Sequence, residues 1–232
     1  MSIKEEIGFE RSLFLLKKVV KMNGKLITFE GIDGCGKTTL ARAVCAALGI
    51  HRNDEKLTGI VFTKEPGDTA LGQSLRTILQ KQKEMVCDLA EFLLFAADRA
   101  QHFQTVIIPQ LKQGSWIIAD RLADSSVAYQ GYGRGLDIAH IRATNAWAMQ
   151  GVEPDLTIYV QIDIETARER FLQRNEVLSS FEREKHDFWQ RVITGYEAIF
   201  AQRNNVLVID GKLTTEQQVA CIMAYFRQQQ WL

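Results

Sequence analysis

The chain has 232 residues, 46% of them hydrophobic, which is enough for one sizeable core. Its 28 lysines and arginines balance its 28 aspartates and glutamates, so no basic surplus marks it as a nucleic-acid binder. No apolar run reaches the length of a membrane span. The four cysteines, Cys35, Cys45, Cys87 and Cys221, form no CxxC pair, which argues against zinc or a disulfide frame and fits reduced thiols in the cytoplasm.

Residues 1–22 place apolar side chains at Phe9, Leu13, Leu16 and Val20, a helical spacing. They are expected to be an added helix or a frayed tail preceding the domain at 23–232. The competing reading makes Met22 the start, three residues before the first strand. Glu5, Glu6 and Glu10 stand where a secretory signal would not have them. Beyond this segment, short β-favouring runs are predicted as strands at 25–30, 59–64, 115–119, 156–162 and 205–209. Helical patterns fall between and after them at 37–48, 69–80, 87–113, 137–149, 165–175, 184–203 and 214–229. Strand and helix alternate, and the strands are near-continuously apolar, so the expected fold is α/β: three layers, a five-stranded parallel sheet with helices on both faces. No Pro/Gly/Ser linker divides the chain, which reads as one domain. The polar stretch 172–186 is either a solvated helix pair or a mobile lid.

The most informative string is GIDGCGKTT, residues 31–39, between the first strand and the first helix. Gly31, Gly36, Lys37 and Thr38 satisfy G-x-x-x-x-G-K-[ST], a pattern met by chance in roughly one chain in a hundred of this length. The strand before it and the helix after it are the context the motif requires. Glycines let successive N–H groups turn toward phosphate oxygens, and the helix N-terminus adds its positive end. The residues expected to hold ATP are therefore Gly31, Ile32, Asp33, Gly34, Cys35, Gly36, Lys37, Thr38 and Thr39. Lys37 reaches the β- and γ-phosphates, and the Thr38 hydroxyl binds Mg²⁺. Cys35 is read as a small side chain in a tight loop rather than a redox switch. No N-K-x-D-type string for guanine and no L-S-G-G-Q string is present.

Four further stretches follow strands or open helices: FTKEPGDT (62–69), LLFAADRAQH (93–102), ADRLADSSVAYQGYGRG (119–135) and PDLTIYVQIDIETARER (154–170). C-terminal strand ends are where open α/β sheets bind ligands. With the phosphate loop, these stretches resemble the thymidylate kinase family in order over about residues 24–210. The resemblance implies transfer of the γ-phosphoryl of ATP to dTMP, with Mg²⁺, by a homodimer. It assigns Asp33, the unexpected acid in the loop, to the acceptor's 3′-hydroxyl, with an Asx-type turn as the alternative role. It assigns Phe95 to stacking on thymine and Arg99 to the base edge. Arg121 grips the acceptor phosphate and the moving group, and Asp120 lies near Mg²⁺, partly through water. Ser125, Ser126 and Gln130 lie near the phosphate and base, and Tyr129 excludes a ribose 2′-hydroxyl. Glu65 and Pro66 form the binding turn, with Glu65–Pro66 a candidate cis bond. Lys37, Arg121 and Asp33 form the implied catalytic set.

Three positions depart from the family pattern. Lys64 stands where many relatives have Arg, Asp68 replaces the second glycine of E-P-G-G-T, and SSFE at 179–182 lacks the lid arginine, with Arg174 and Arg183 the nearest substitutes. The alternatives to dTMP phosphorylation are another nucleotide or nucleoside kinase of this fold, or a nucleotide-gated switch without acceptor kinase activity.

Overall fold

The computed structural model describes residues 22–50, 59–81, 86–174, 184–201 and 203–232. The extension at 1–21, the string at 179–182, Arg183 and most of the stretch expected as a lid lie outside these residues. The described strands are β1 (Lys25–Glu30), β2 (Ile60–Lys64), β3 (Trp116–Asp120), β4 (Leu156–Gln161) and β5 (Val206–Asp210). They pair in the order β2-β3-β1-β4-β5, every pair parallel. The expected five-stranded parallel sheet is what forms.

Around it lie α1 (Lys37–Ile50), α2 (Ala70–Lys81), α3 (Asp88–His102), α4 (Ile108–Lys112), α5 (Ala123–Ser126), α6 (Ile138–Ala148), α7 (Ile164–Arg174), α8 (His186–Phe200) and α9 (Thr215–Gln228). Alternation along the central strands sends Ile27, Phe29 and Ile118 into one apolar cluster and Leu26, Ile117 and Ala119 into another. Both sheet faces are thus covered, which is why these strands read as unbroken apolar runs.

The helix expected over 87–113 is continuous but not uniform. A π-helical turn, Phe103–Ile107, separates α3 from α4, and Pro109 follows in the first turn of α4. Proline lacks the N–H of a regular helix interior, and the wider turn before it absorbs that loss. The stretch after β3, not assigned to any element from sequence, is also helical: α5 runs into a second π turn, Val127–Gly133. One of its glycines, Gly133, serves packing against α8. A Cβ on Gly133 would lie 2.6 Å from the Phe188 ring, and one on Gly195 of α8 would lie 2.8 Å from Tyr132. The two glycines form reciprocal notches that bring α8 against the turn.

Register sets the level of the site. Phe29 pairs with Asp120 and Lys64 pairs with the same aspartate, so the C-terminal ends of β1, β2 and β3 end side by side. The loops that follow these strands open at one edge, where β1 stands between β3 and β4.

Overpacking the α8 notch is the direct test of this arrangement. Gly133→Ala is expected to cost about 1–3 kcal/mol. Thermal denaturation reads this as a fall of roughly 2–4 °C per kcal/mol for a chain of this size.

Candidate active site

The loop after β1 begins with Gly31, where a Cβ would lie 2.6 Å from the Val160 carbonyl oxygen, and Gly34 and Gly36 both have positive φ, 81° and 90°. Only glycine takes these positions without strain. Lys37 is buried, and its Nζ donates to Ile32 O at 3.3 Å and to Asp33 Oδ1 at 3.5 Å. Cys35 is buried at 1% exposure, and burial pushes its thiol up, which leaves it inert at neutral pH. From α7, Arg170 NH1 donates to the carbonyls of Gly34 (3.2 Å) and Cys35 (3.1 Å), while NH2 donates to Gly211 O (2.7 Å). That brace was not foreseen.

Asp33 and Arg121 meet across the loop. Arg121 NH2 donates to Asp33 Oδ1 at 2.5 Å and to the Tyr129 hydroxyl at 3.1 Å. The Tyr129 hydroxyl accepts the Asp33 backbone N–H at 3.1 Å, and the Arg121 guanidinium lies 5.0 Å from the Tyr129 ring centre. Burial alone would raise the Asp33 carboxyl, but Arg121 and Lys37 together outweigh it and hold it down at about 2. Arg121 is itself at φ 72°, a left-handed conformation rare for a residue with a side chain.

Beneath it stands Glu30, the last residue of β1 and fully buried. Oε1 accepts the Leu122 N–H at 2.8 Å, and Oε2 accepts from Ser125 Oγ at 2.6 Å and Tyr196 OH at 3.0 Å. Burial, reinforced by Asp124, pushes this carboxyl up to about 7 against the pull of Arg121 and of its Ser125 and Leu122 hydrogen bonds. Sequence reading missed Glu30 and Tyr196. An acid closing an otherwise apolar strand was the available signal for Glu30; Tyr196 had none.

On the β2 side, Glu65–Pro66 is a cis peptide, as expected. Glu65 is buried and meets two basic side chains: Oε2 takes Arg99 Nε (2.9 Å), and Oε1 meets His102 Nδ1 (2.9 Å). Arg99, 1% exposed, also donates from NH1 to Ser126 Oγ (3.0 Å) and Asn145 Oδ1 (2.7 Å), and from NH2 to Leu122 O (3.1 Å), with NH2 2.8 Å from Glu65 Oε2. Four guanidinium N–H groups therefore donate to protein acceptors, and the charge is paired with Glu65. Arg99 is expected to read a base edge; in this structure its side chain links the segments after β2 and β3 to α5 and α6. Gln130 is likewise engaged, its Nε2 donating to Glu91 Oε1 at 2.9 Å. Ser126 is bound by Arg99, and Ser125 by Arg121 NH1 at 2.9 Å. Phe95 is half-buried on α3, one turn before Arg99.

Asp68, unexplained from sequence, turns its Oδ2 to the Thr63 hydroxyl at 2.6 Å, and that hydroxyl also meets His102 Nε2 at 2.5 Å. Its charge is tied into the turn. Asp98 is buried beside this cluster, and burial, then Glu65, push it up to about 6.

Thr38 Oγ1 donates to Asp120 Oδ2 at 2.5 Å, while Asp120 Oδ1 is buried with no hydrogen-bond partner among the described residues. A hydroxyl and a carboxylate with an unsatisfied oxygen at the mouth of the phosphate loop fit Mg²⁺. This cation takes few protein ligands and completes its shell with water and substrate phosphate. Among the described residues no cluster of three or more acidic, His or Cys side chains could hold a metal ion.

A phosphate loop at the switch point of a parallel sheet, faced by a charged guanidinium on the adjacent strand end, defines a P-loop phosphotransferase. A family model for thymidylate kinase matches residues 29–222. The chain is 41% identical to the thymidylate kinase of Carboxydothermus hydrogenoformans over 84% of its own length and 93% of that protein's. It is 41% identical to the Nostoc punctiforme thymidylate kinase, covering 85% and 94%. The crystal structure of a thymidylate kinase from Ehrlichia chaffeensis superposes with a TM-score of 0.71 at 30% identity, covering 88% of this chain and 98% of that one. The chain belongs to the thymidylate kinase family. Among the described residues no helix is long and apolar enough to cross a membrane.

Two outcomes test these assignments. Glu65→Ala leaves Arg99 and His102 buried without their shared acceptor and is expected to cost about 3–5 kcal/mol, read from urea denaturation midpoints. Asp33 has a folded value below its unfolded one, so its stabilising contribution is present above pH 4 and lost as pH falls toward about 2. Asp33→Asn should therefore be less stable than the parent at neutral pH, with the gap in melting temperature closing on acidification through that window.

Proposed function

We propose that this chain transfers the γ-phosphoryl group of ATP to dTMP, giving dTDP and ADP in the supply of dTTP, with Mg²⁺ and in the cytoplasm. The observation that carries this reading is the Arg121–Asp33 contact, which links the donor loop to the acceptor-side residues within one hydrogen-bonded network. ATP lies along residues 31–39, its β- and γ-phosphates facing the loop N–H groups and Lys37. Thr38 and Asp120 would hold Mg²⁺, which would neutralise phosphate charge when bound. Arg121 donates to the acceptor phosphate and to the transferring group, where a fixed planar cation stabilises spread negative charge.

Asp33 Oδ1 is taken by Arg121, but its side chain is 26% exposed, and among the described residues Oδ2 meets the Tyr129 hydroxyl at 3.3 Å. Oδ2 accepts the sugar 3′-hydroxyl. Tyr129, fixed by Asp33 and Arg121, fills the space a 2′-hydroxyl would need. The base stacks on Phe95, against a wall made by Glu65, Pro66, Ser126 and Gln130 and braced by Arg99. For Arg99 to donate to the base, it must first release Ser126 or Asn145.

The enzyme acts as a homodimer. The adjacent helices α2, α3 and α6 carry large apolar side chains in water: Leu71 (46% exposed), Leu89 (57%), Leu93 (51%) and Trp147 (77%). Burial of such side chains is a common basis for association.

A coupled ADP-release assay tests the reaction. Turnover should require dTMP and prefer it over other nucleoside monophosphates, and Arg121→Ala should lower kcat by about 10²–10³-fold. Preference for another monophosphate would move the chain to a different acceptor. Slow hydrolysis indifferent to any acceptor would make it a switch.

A further inference from the structure

Three features stand outside the roles already assigned: the apolar surface of α2, α3 and α6, the Asp68–Thr63–His102 cluster, and the buried polar group beneath Arg121. The last is carried furthest by geometry. Building on the phosphotransfer reading above, we propose that Glu30, Ser125 and Tyr196 are positioning residues that set the orientation of the Arg121 guanidinium without touching substrate.

Two features support this. The first concerns the backbone. Arg121 sits at φ 72°, a conformation disfavoured for a residue with a Cβ. The peptides on either side are pinned: Arg121 N–H donates to Phe29 O at 3.0 Å, and Leu122 N–H donates to Glu30 Oε1 at 2.8 Å. The carboxylate of β1 thus fixes the turn at the end of β3 from which the arginine emerges.

The second concerns the side chain. Arg121 NH1 faces Ser125 Oγ (2.9 Å), Gly31 O (3.1 Å) and Tyr196 OH (3.3 Å). Both hydroxyls also donate to Glu30 Oε2, and they lie 3.0 Å from each other. NH2 is turned the opposite way, to Asp33 and Tyr129. One edge of the guanidinium is therefore anchored to a buried scaffold, and the other is presented to the site. Tyr196 has 0% exposure, its ring packed on Tyr159 and Phe200, so α8 delivers only the hydroxyl. A fork held at one edge by three oxygens cannot rotate about its terminal bonds, and misplacement of about 1 Å costs catalysis heavily.

The test is a double-mutant cycle on dTMP phosphorylation. Tyr196→Phe keeps the ring and removes the hydroxyl; Ser125→Ala serves as a second, mild variant. Each is expected to lower kcat by about 10- to 100-fold, with the ATP KM changed less than about threefold. In an Arg121→Ala background the same substitutions should change kcat by less than about twofold, because the group they position is gone. Equal losses in both backgrounds would overturn the proposal and leave only a packing role. A readout independent of turnover is NMR of the ¹⁵N-labelled chain. The Arg121 guanidinium protons should exchange slowly in the parent and rapidly in Tyr196→Phe; unchanged exchange would also overturn it. If the parent makes no dTDP, the proposed reaction falls, while the exchange measurement still decides the positioning.

Discussion

One guanidinium and two carboxylates at the junction of β1 and β3 constrain everything around them. Arg121 stays charged in a partly buried place because Asp33 compensates it on one edge, and its other edge is bonded to Ser125, Gly31 and Tyr196 above Glu30. The two acids differ in state because their surroundings differ. Asp33 has two cations beside it and is held down at about 2, whereas burial and Asp124 push Glu30 up to about 7. A single fixed charge on the reactive edge, with a hydrogen-bonded scaffold behind it, is what phosphoryl transfer asks of a protein: positioning and charge neutralisation rather than covalent chemistry.

The sheet makes this junction possible. Parallel register ends β1, β2 and β3 at the same level, so residues far apart in the chain become neighbours. The second buried network, Glu65 with Arg99 and His102, uses the same geometry on the β2 side. Burying Arg99 and Glu65 away from water carries a cost, which their ion pair and the hydrogen bonds of Arg99 to Ser126, Asn145 and Leu122 offset. The result is a rigid wall beside the loop. The glycine notches at Gly133 and Gly195 complete the arrangement by admitting α8 closely enough for the Tyr196 hydroxyl to reach Glu30.

Much of this was legible in the sequence, and where it was not the reason is physical. The phosphate loop is a local device: its glycines, lysine and threonine act within nine residues between a strand and a helix, so spacing alone exposes it. Strands and most helices follow from periodicity, a property of neighbouring residues. The two π turns were not legible, since a glycine-rich run and a proline-bearing helix look like loop and regular helix until their packing partners are known. Asp68 read as an unexplained charge because its partners, Thr63 and His102, are reached only through the fold.

Arg99 shows the same limit from the other side. Its motif points to a ligand, but the number of protein acceptors around it depends on Glu65, Ser126, Asn145 and Leu122, contributed by three separate segments. The sequence by itself determined the alternating elements, the phosphate loop and the family, because each is written in short-range spacing. Tertiary structure decided which groups surround each carboxylate, which partners each arginine meets and which tyrosine hydroxyls reach Arg121. Those properties depend on burial and on the sum of partners brought together across the sheet, and no local pattern encodes that sum.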